Sequence, residues 1–116
     1  MNYVYVIDDD LQFCKHLSSV LSHEGLEVKI SDNVIEMASK VNQDKPLVIL
    51  CNVNVGEQSG SKLLRSIQAN PQTNHIPFIF MLNDEKHSRE GLLALGADNV
   101  LVKPFGFEEL LHGILT

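Results

Sequence analysis

Five short apolar runs rich in β-branched and aromatic residues alternate, one for one, with five stretches whose apolar residues recur at helical spacing. No other feature limits the fold so sharply. A strand, a helix and a second strand in parallel close only as a right-handed crossover, so the pattern predicts a mostly parallel sheet with helices on both faces. The expected class is α/β, a three-layer α/β/α arrangement around five strands. Ligands of such sheets bind beyond the carboxyl ends of the strands, which is where candidate site residues are sought.

The first run, Tyr3 to Ile7, stops at Asp8-Asp9-Asp10, and Leu11, Cys14, Leu17, Val20 and Leu21 then describe a helix that Gly25 ends. Leu26, Val28 and Ile30 alternate as a half-buried strand does. Val34, Met37, Ala38 and Val41 mark the second helix, with Ser31 or Asp32 as its expected cap. Pro46 opens Leu47 to Cys51, which reads as a strand covered on both faces, and a polar loop ends at Gly60 before Leu63, Leu64 and Ile67 form the third helix. Asn70-Pro71-Gln72 breaks it. Ile76 to Leu82 is the fourth strand, and a charged stretch leads to Leu92, Leu93 and Leu95 of the fourth helix, with Gly96 as its stop. Val100 to Val102 is the last strand, followed by Lys103-Pro104 and a helix carrying Phe107, Leu110 and Leu111. Residues 1–116 are read as one domain, its last helix either cut short or continued into an output domain.

Charge and composition remove several functions. Nine Lys and Arg face fifteen Asp and Glu, a formal charge of -6, and form no basic run, so nucleic acid is not an expected partner. The apolar stretches are far too short to cross a bilayer, and no leader pattern precedes them; the expected compartment is the cytoplasm. Cys14 and Cys51 lie in apolar surroundings on different elements and read as buried free thiols. His16, His23, His75, His87 and His112 share no ligand spacing and read as surface residues. A nucleotide or flavin site is disfavoured by the acidic loop and by the lack of a phosphate-cradling glycine motif.

Asp8-Asp9-Asp10, Asn52-Val53-Asn54, Met81-Leu82-Asn83 and Lys103-Pro104 stand at four strand ends and are expected to converge. Adjacent carboxylates repel, so Asp8 and Asp9 need a counter-charge, either Mg²⁺ with oxygen ligands or the one base placed to serve, Lys103. Asp10 reads equally well as a helix cap. A cis Lys103-Pro104 peptide is one way to aim the lysine inward, although most X-Pro bonds are trans.

Val6-Ile7-Asp8-Asp9-Asp10, Pro46 to Asn52, Gly60, Ile76-Pro77, Gly96-Ala97-Asp98 and Lys103-Pro104-Phe105, in this order over the whole chain, resemble the receiver domain of bacterial two-component response regulators. The resemblance implies a flavodoxin-like (βα)5 fold with strand order 2-1-3-4-5. It also implies a site in which an aspartate ending the third strand takes a phosphoryl group from a histidine kinase, the acidic pair holds Mg²⁺ and the lysine contacts the phosphoryl oxygens. Three positions depart from the pattern. The acceptor position is Asn52, whose amide is a poor nucleophile and no precursor of an acyl phosphate. The switch hydroxyl position is Leu82 or Met81, depending on whether the loop is counted from Pro77 or from Lys103, and the switch aromatic position is Val100.

The resemblance with these departures implies a pseudo-receiver: a non-enzymatic protein-interaction module not phosphorylated at the usual site. Any Mg²⁺ site, formed by Asp8, Asp9, the Asn52 side chain and the Asn54 backbone carbonyl, is expected to be weak. The alternative function is residual Mg²⁺-dependent phosphoryl acceptance by Asp8 or Asp9, assisted by Lys103. By resemblance, a signalling partner, an attached output domain or a second copy docks on the fourth helix, fifth strand and fifth helix, near Lys86 to Leu93, Val100 to Val102 and Phe107 to Leu111.

Overall fold

The alternating runs become strands because their β-branched and aromatic side chains fill both faces of a pleated sheet. A computed structural model describes residues 3–84 and 89–115. In chain order the elements are β1 Tyr3–Ile7, α1 Leu11–Ser22, β2 Glu27–Ser31, α2 Val34–Asp44, β3 Val48–Asn52, β4 Asn54–Val55 and β5 Gln58–Ser59. They continue with α3 Gly60–Gln68, β6 Phe78–Leu82, α4 Arg89–Ala94, β7 Asn99–Val102 and α5 Phe107–Leu115. The main sheet runs β2-β1-β3-β6-β7, parallel throughout, which is the expected order of its five strands. Lys86 and His87 lie outside the described residues; His16, His23, His75 and His112 are exposed.

Side-chain alternation sorts the core into two layers. Tyr5, Ile7, Ile49, Cys51, Phe78, Phe80 and Leu82 face α2, α3 and Leu92 of α4, whereas Val4, Val6, Val48, Leu50, Ile79 and Met81 face α1 and Leu110 of α5. Every residue of β3 and β6 is buried, as strands covered on both faces must be. No helix among the described residues is long and apolar enough to cross a membrane.

Several local expectations need correction. β4 and β5, two residues each, form an antiparallel hairpin absent from the five-strand reading, and its turn is made by Gly56 at φ +60. Leu11 and Leu47, where α1 and β3 begin, are 55% and 48% exposed, and Ile30, on the edge strand β2, is 38% exposed. The α2 cap is Asn33, not Ser31 or Asp32. Asn33 Oδ1 accepts the Glu36 N–H at 2.9 Å, while the Ser31 hydroxyl instead accepts the Asn33 N–H at 3.0 Å. β6 starts at Phe78, since Pro77 has no N–H to give the ladder.

A polar cluster fixes the end of α2 to β1. The buried Tyr5 hydroxyl donates to the Asp44 carboxylate, which also accepts from Lys29 Nζ at 2.9 Å, and that ammonium lies 4.1 Å from the Tyr3 ring centroid. Hydrogen bonds from Tyr5 and then Lys29 hold the Asp44 carboxyl below its ordinary value, so the cluster's contribution is present above that value and is lost as pH falls through the depressed one. Asp44→Asn should therefore be less stable at neutral pH by about 1 kcal/mol and lose less on acidification than the native chain, which thermal melts across the acid range would show. Equal acid slopes in both proteins would remove Asp44 from the account.

Candidate functional site

β1 and β3 are neighbours with Ile7 opposite Cys51, so Asp8 and Asn52 leave the sheet side by side. On the other side of β3, β6 places Met81 opposite Asn52, and β7 delivers Lys103, whose N–H donates to the Leu82 carbonyl at 2.8 Å. The four strand ends converge as the sequence predicted. Lys103-Pro104 is a cis peptide.

Asp8 is fully buried, and the nearly buried Lys103 places Nζ 2.6 Å from its Oδ2 and 4.6 Å from the Phe13 ring centroid. The counter-charge demanded by the acidic pair is thus supplied from within the chain. Asp8 Oδ1 accepts the Asp10 N–H at 3.1 Å, and Asp10 in turn caps α1 by accepting the Phe13 N–H at 3.1 Å. Asp9 points away from Lys103 and accepts the Gly56 N–H of the hairpin at 3.1 Å.

Asn52, 4% exposed, donates Nδ2 to the Asn54 backbone carbonyl at 2.9 Å. The loop that follows is held by Gly60 N–H on the Val53 carbonyl, 2.8 Å, and by the Gln58 side chain, whose Oε1 accepts the Val34 N–H at the start of α2, 2.7 Å. Together these contacts frame an open cleft of about 260 Å³ whose lining includes Asp9, Asn52, Asn54, Gly56, Leu82 and Asp84. Of the two residues left open by counting, Leu82 lines the cleft, while Met81 is buried in the opposite layer against α1 and α5. Val100 is buried in the same layer as Leu82 and presents only carbon.

The oxygens named for magnesium already make contacts within the chain. Asp8 Oδ1 and Oδ2, one oxygen of Asp9 and the Asn54 carbonyl each already accept a hydrogen bond from this chain. Asp8, Asp9, the Asn52 side chain and the Asn54 carbonyl would hold a divalent cation only in competition with those contacts. Nor do the nearby thiols offer a nucleophile. Burial, and secondarily the Asp8 carboxylate, pushes the Cys14 thiol up to about 11, and burial raises Cys51 as well, so both stay neutral in the ordinary pH range.

Sequence reading missed Gln58 and the Gly56 amide as parts of this site. No local pattern marks them, since their partners Val34 and Asp9 come from distant segments.

The family of the response regulator receiver domain matches residues 4–115. The chain is 31% identical over 115 residues to a transcriptional regulatory protein CpxR homolog of Haemophilus influenzae, covering 98% of this chain and 49% of that one. It thus spans about half the length of that relative. The fold superposes on the chemotaxis protein CheY4 of Vibrio cholerae with a TM-score of 0.85, 25% identity and coverage of 99% and 97%. It also matches the receiver domain of the sensor histidine kinase PA1611 of Pseudomonas aeruginosa, which has magnesium coordinated in its active-site cleft, with TM-score 0.85, 18% identity and coverage of 97% and 93%.

Proposed function

Because the chain belongs to the response regulator receiver domain family, we propose that it is a single receiver module of two-component signalling that works without phosphorylation at Asn52. The observation that carries this reading is the Asn52–Asn54 hydrogen bond. An amide hydrogen fills the position between the third-strand side chain and the loop carbonyl where two oxygens would need a cation between them. The pocket is thereby satisfied without metal or phosphate, and Leu82 and Val100 supply neither the hydroxyl nor the ring that would respond to a phosphoryl group.

On this reading the module acts in the cytoplasm by docking a signalling partner, an output domain or a second copy. The surface is α4, β7 and α5, where Leu93, Val102 and Leu111 are exposed. Magnesium binds weakly, because it has to displace hydrogen bonds already made by Lys103, Gly56 and Asn52.

The test is the intact mass after incubation with Mg²⁺ and a small-molecule phosphodonor, for the native chain and for Asn52→Asp. The native chain should stay unmodified. The variant places a carboxylate oxygen against the Asn54 carbonyl, which recruits the cation and restores a nucleophile, and should gain one phosphoryl group. An adduct on the native chain would overturn the proposal and place acceptance on Asp8 or Asp9.

A further inference from the structure

Among the described residues α4 runs Arg89–Ala94, with Leu92 as the side chain buried in the core. Leu93 and the neighbouring Leu95 are turned to solvent. Polar contacts from Arg89 add to what Leu92 contributes in this part of α4.

Arg89 reaches the free edge of the sheet. β7 pairs with β6 on one side only, so along its other side backbone groups need partners from elsewhere. Arg89 Nη1 donates to the Val100 carbonyl at 2.6 Å, and Nη2 donates to Asn99 Oδ1 at 2.6 Å. The same Asn99 oxygen accepts the Val100 N–H at 2.8 Å. Arg89, Asn99 and Val100 thus close a ring in which side chains satisfy both backbone groups of Val100.

The ring joins both helical layers. The Val100 side chain is buried with Leu92 in the α2–α4 layer, while the next residue, Leu101, packs in the layer of α1 and α5. Asn99 also abuts α5: a Cβ at Gly113 would come within 2.9 Å of Asn99 Nδ2. One guanidinium therefore fastens α4 to the strand edge through an asparagine that itself lies against α5. It does so three residues before Lys103, yet makes no contact with the cleft.

We propose that Arg89 is a latch: it holds α4 docked on the β7 edge through Val100 and Asn99, and so sets the arrangement of the α4–β7–α5 face independently of the pocket. The proposal rests on the α4–β7 geometry and not on whether Asn52 accepts phosphate. Charge-assisted hydrogen bonds contribute on the scale of one buried leucine, so Arg89 adds a hold on α4 comparable to that of Leu92.

The experiment is amide hydrogen exchange by NMR on the full chain, native against Arg89→Gln and Asn99→Asp. In Arg89→Gln, the amides of Val100 and of Leu95, which closes α4 on the Leu92 carbonyl at 3.2 Å, should exchange about tenfold faster or more. The Asp8 amide, bonded to Ser31 at the other side of the sheet, should keep its protection. Asn99→Asp retains both acceptors and adds a charge opposite Arg89, so Val100 and Leu95 should stay protected. Unchanged exchange in Arg89→Gln would overturn the latch, showing that apolar contacts hold α4. So would an equal loss at Asp8, which would make the arginine a contributor to general stability only.

Discussion

Lys103→Met should destabilise the domain by about 3–5 kcal/mol, because it leaves the fully buried Asp8 carboxylate without its partner. For a domain of this size the melting temperature falls by on the order of 15–30 °C, enough that the single variant can fail to fold at working temperature. The informative comparison is therefore with Asp8→Asn and with the double variant. Asp8→Asn removes the buried negative charge and leaves Lys103 opposite a neutral amide. Combining Asp8→Asn with Lys103→Met removes both charges, and most of the lost stability should return. The measurement is a double-mutant cycle from denaturant unfolding. If the double variant were as unstable as the sum of the two singles, the ion pair would have no coupling and Asp8 would owe its burial to hydrogen bonding alone.

The second large effect is steric. Gly60 begins α3 where the chain passes against the end of β3, and a Cβ there would lie 2.4 Å from the Asn52 backbone oxygen, 3.0 Å from Cys51 Sγ and 3.3 Å from the Val53 oxygen. The first of these is backbone and cannot rotate aside. Gly60→Ala should therefore cost about 1–3 kcal/mol through overpacking, although alanine is ordinarily the better residue in a helix. Gly106→Ala is the control, since nothing lies within 4 Å of its Cβ position, and it should leave the urea midpoint nearly unchanged. Matching midpoints for the Gly60 variant and the native chain would mean that β3 and α3 separate more easily than their packing indicates. A perturbed Gly60 variant should also disturb Asn52, because the atom struck belongs to that residue.

Both predictions concern residues that sequence reasoning had already singled out. The acidic triplet, Asn52, Gly60 and Lys103 were legible because strand periodicity places the end of each strand, and parallel topology brings those ends together. The cap made by Asp10 was legible because its acceptor and donor are three residues apart. Cys14 and Cys51 were legible as thiols inside apolar runs.

Contacts that depend on reach between distant loops were not legible. Gln58 meets Val34 and Asp9 meets Gly56 because folding brings surface segments within a side chain's length, and neither pair has a sequence spacing that recurs. Leu11, Ile30 and Leu47 fit the apolar pattern but end up exposed, since periodicity marks a face of an element and not where its covering layer ends. The choice between Leu82 and Met81 could not be made by counting, because it depends on which face of β6 looks into the cleft.

The β4–β5 hairpin bears on how this chain tolerates change in length. Loops usually absorb insertions at small cost, because closing a slightly longer loop adds little entropy. Here the segment between β3 and α3 is tied internally by Asn52 to Asn54 and by Gly60 to Val53, and to two other parts of the molecule by Gly56 to Asp9 and by Gln58 to Val34. Adding or deleting one residue shifts Gln58 off the start of α2 and Gly56 off Asp9 together. This stretch behaves as a fitted part of the scaffold, so a change in its length should cost more than the same change in an ordinary loop.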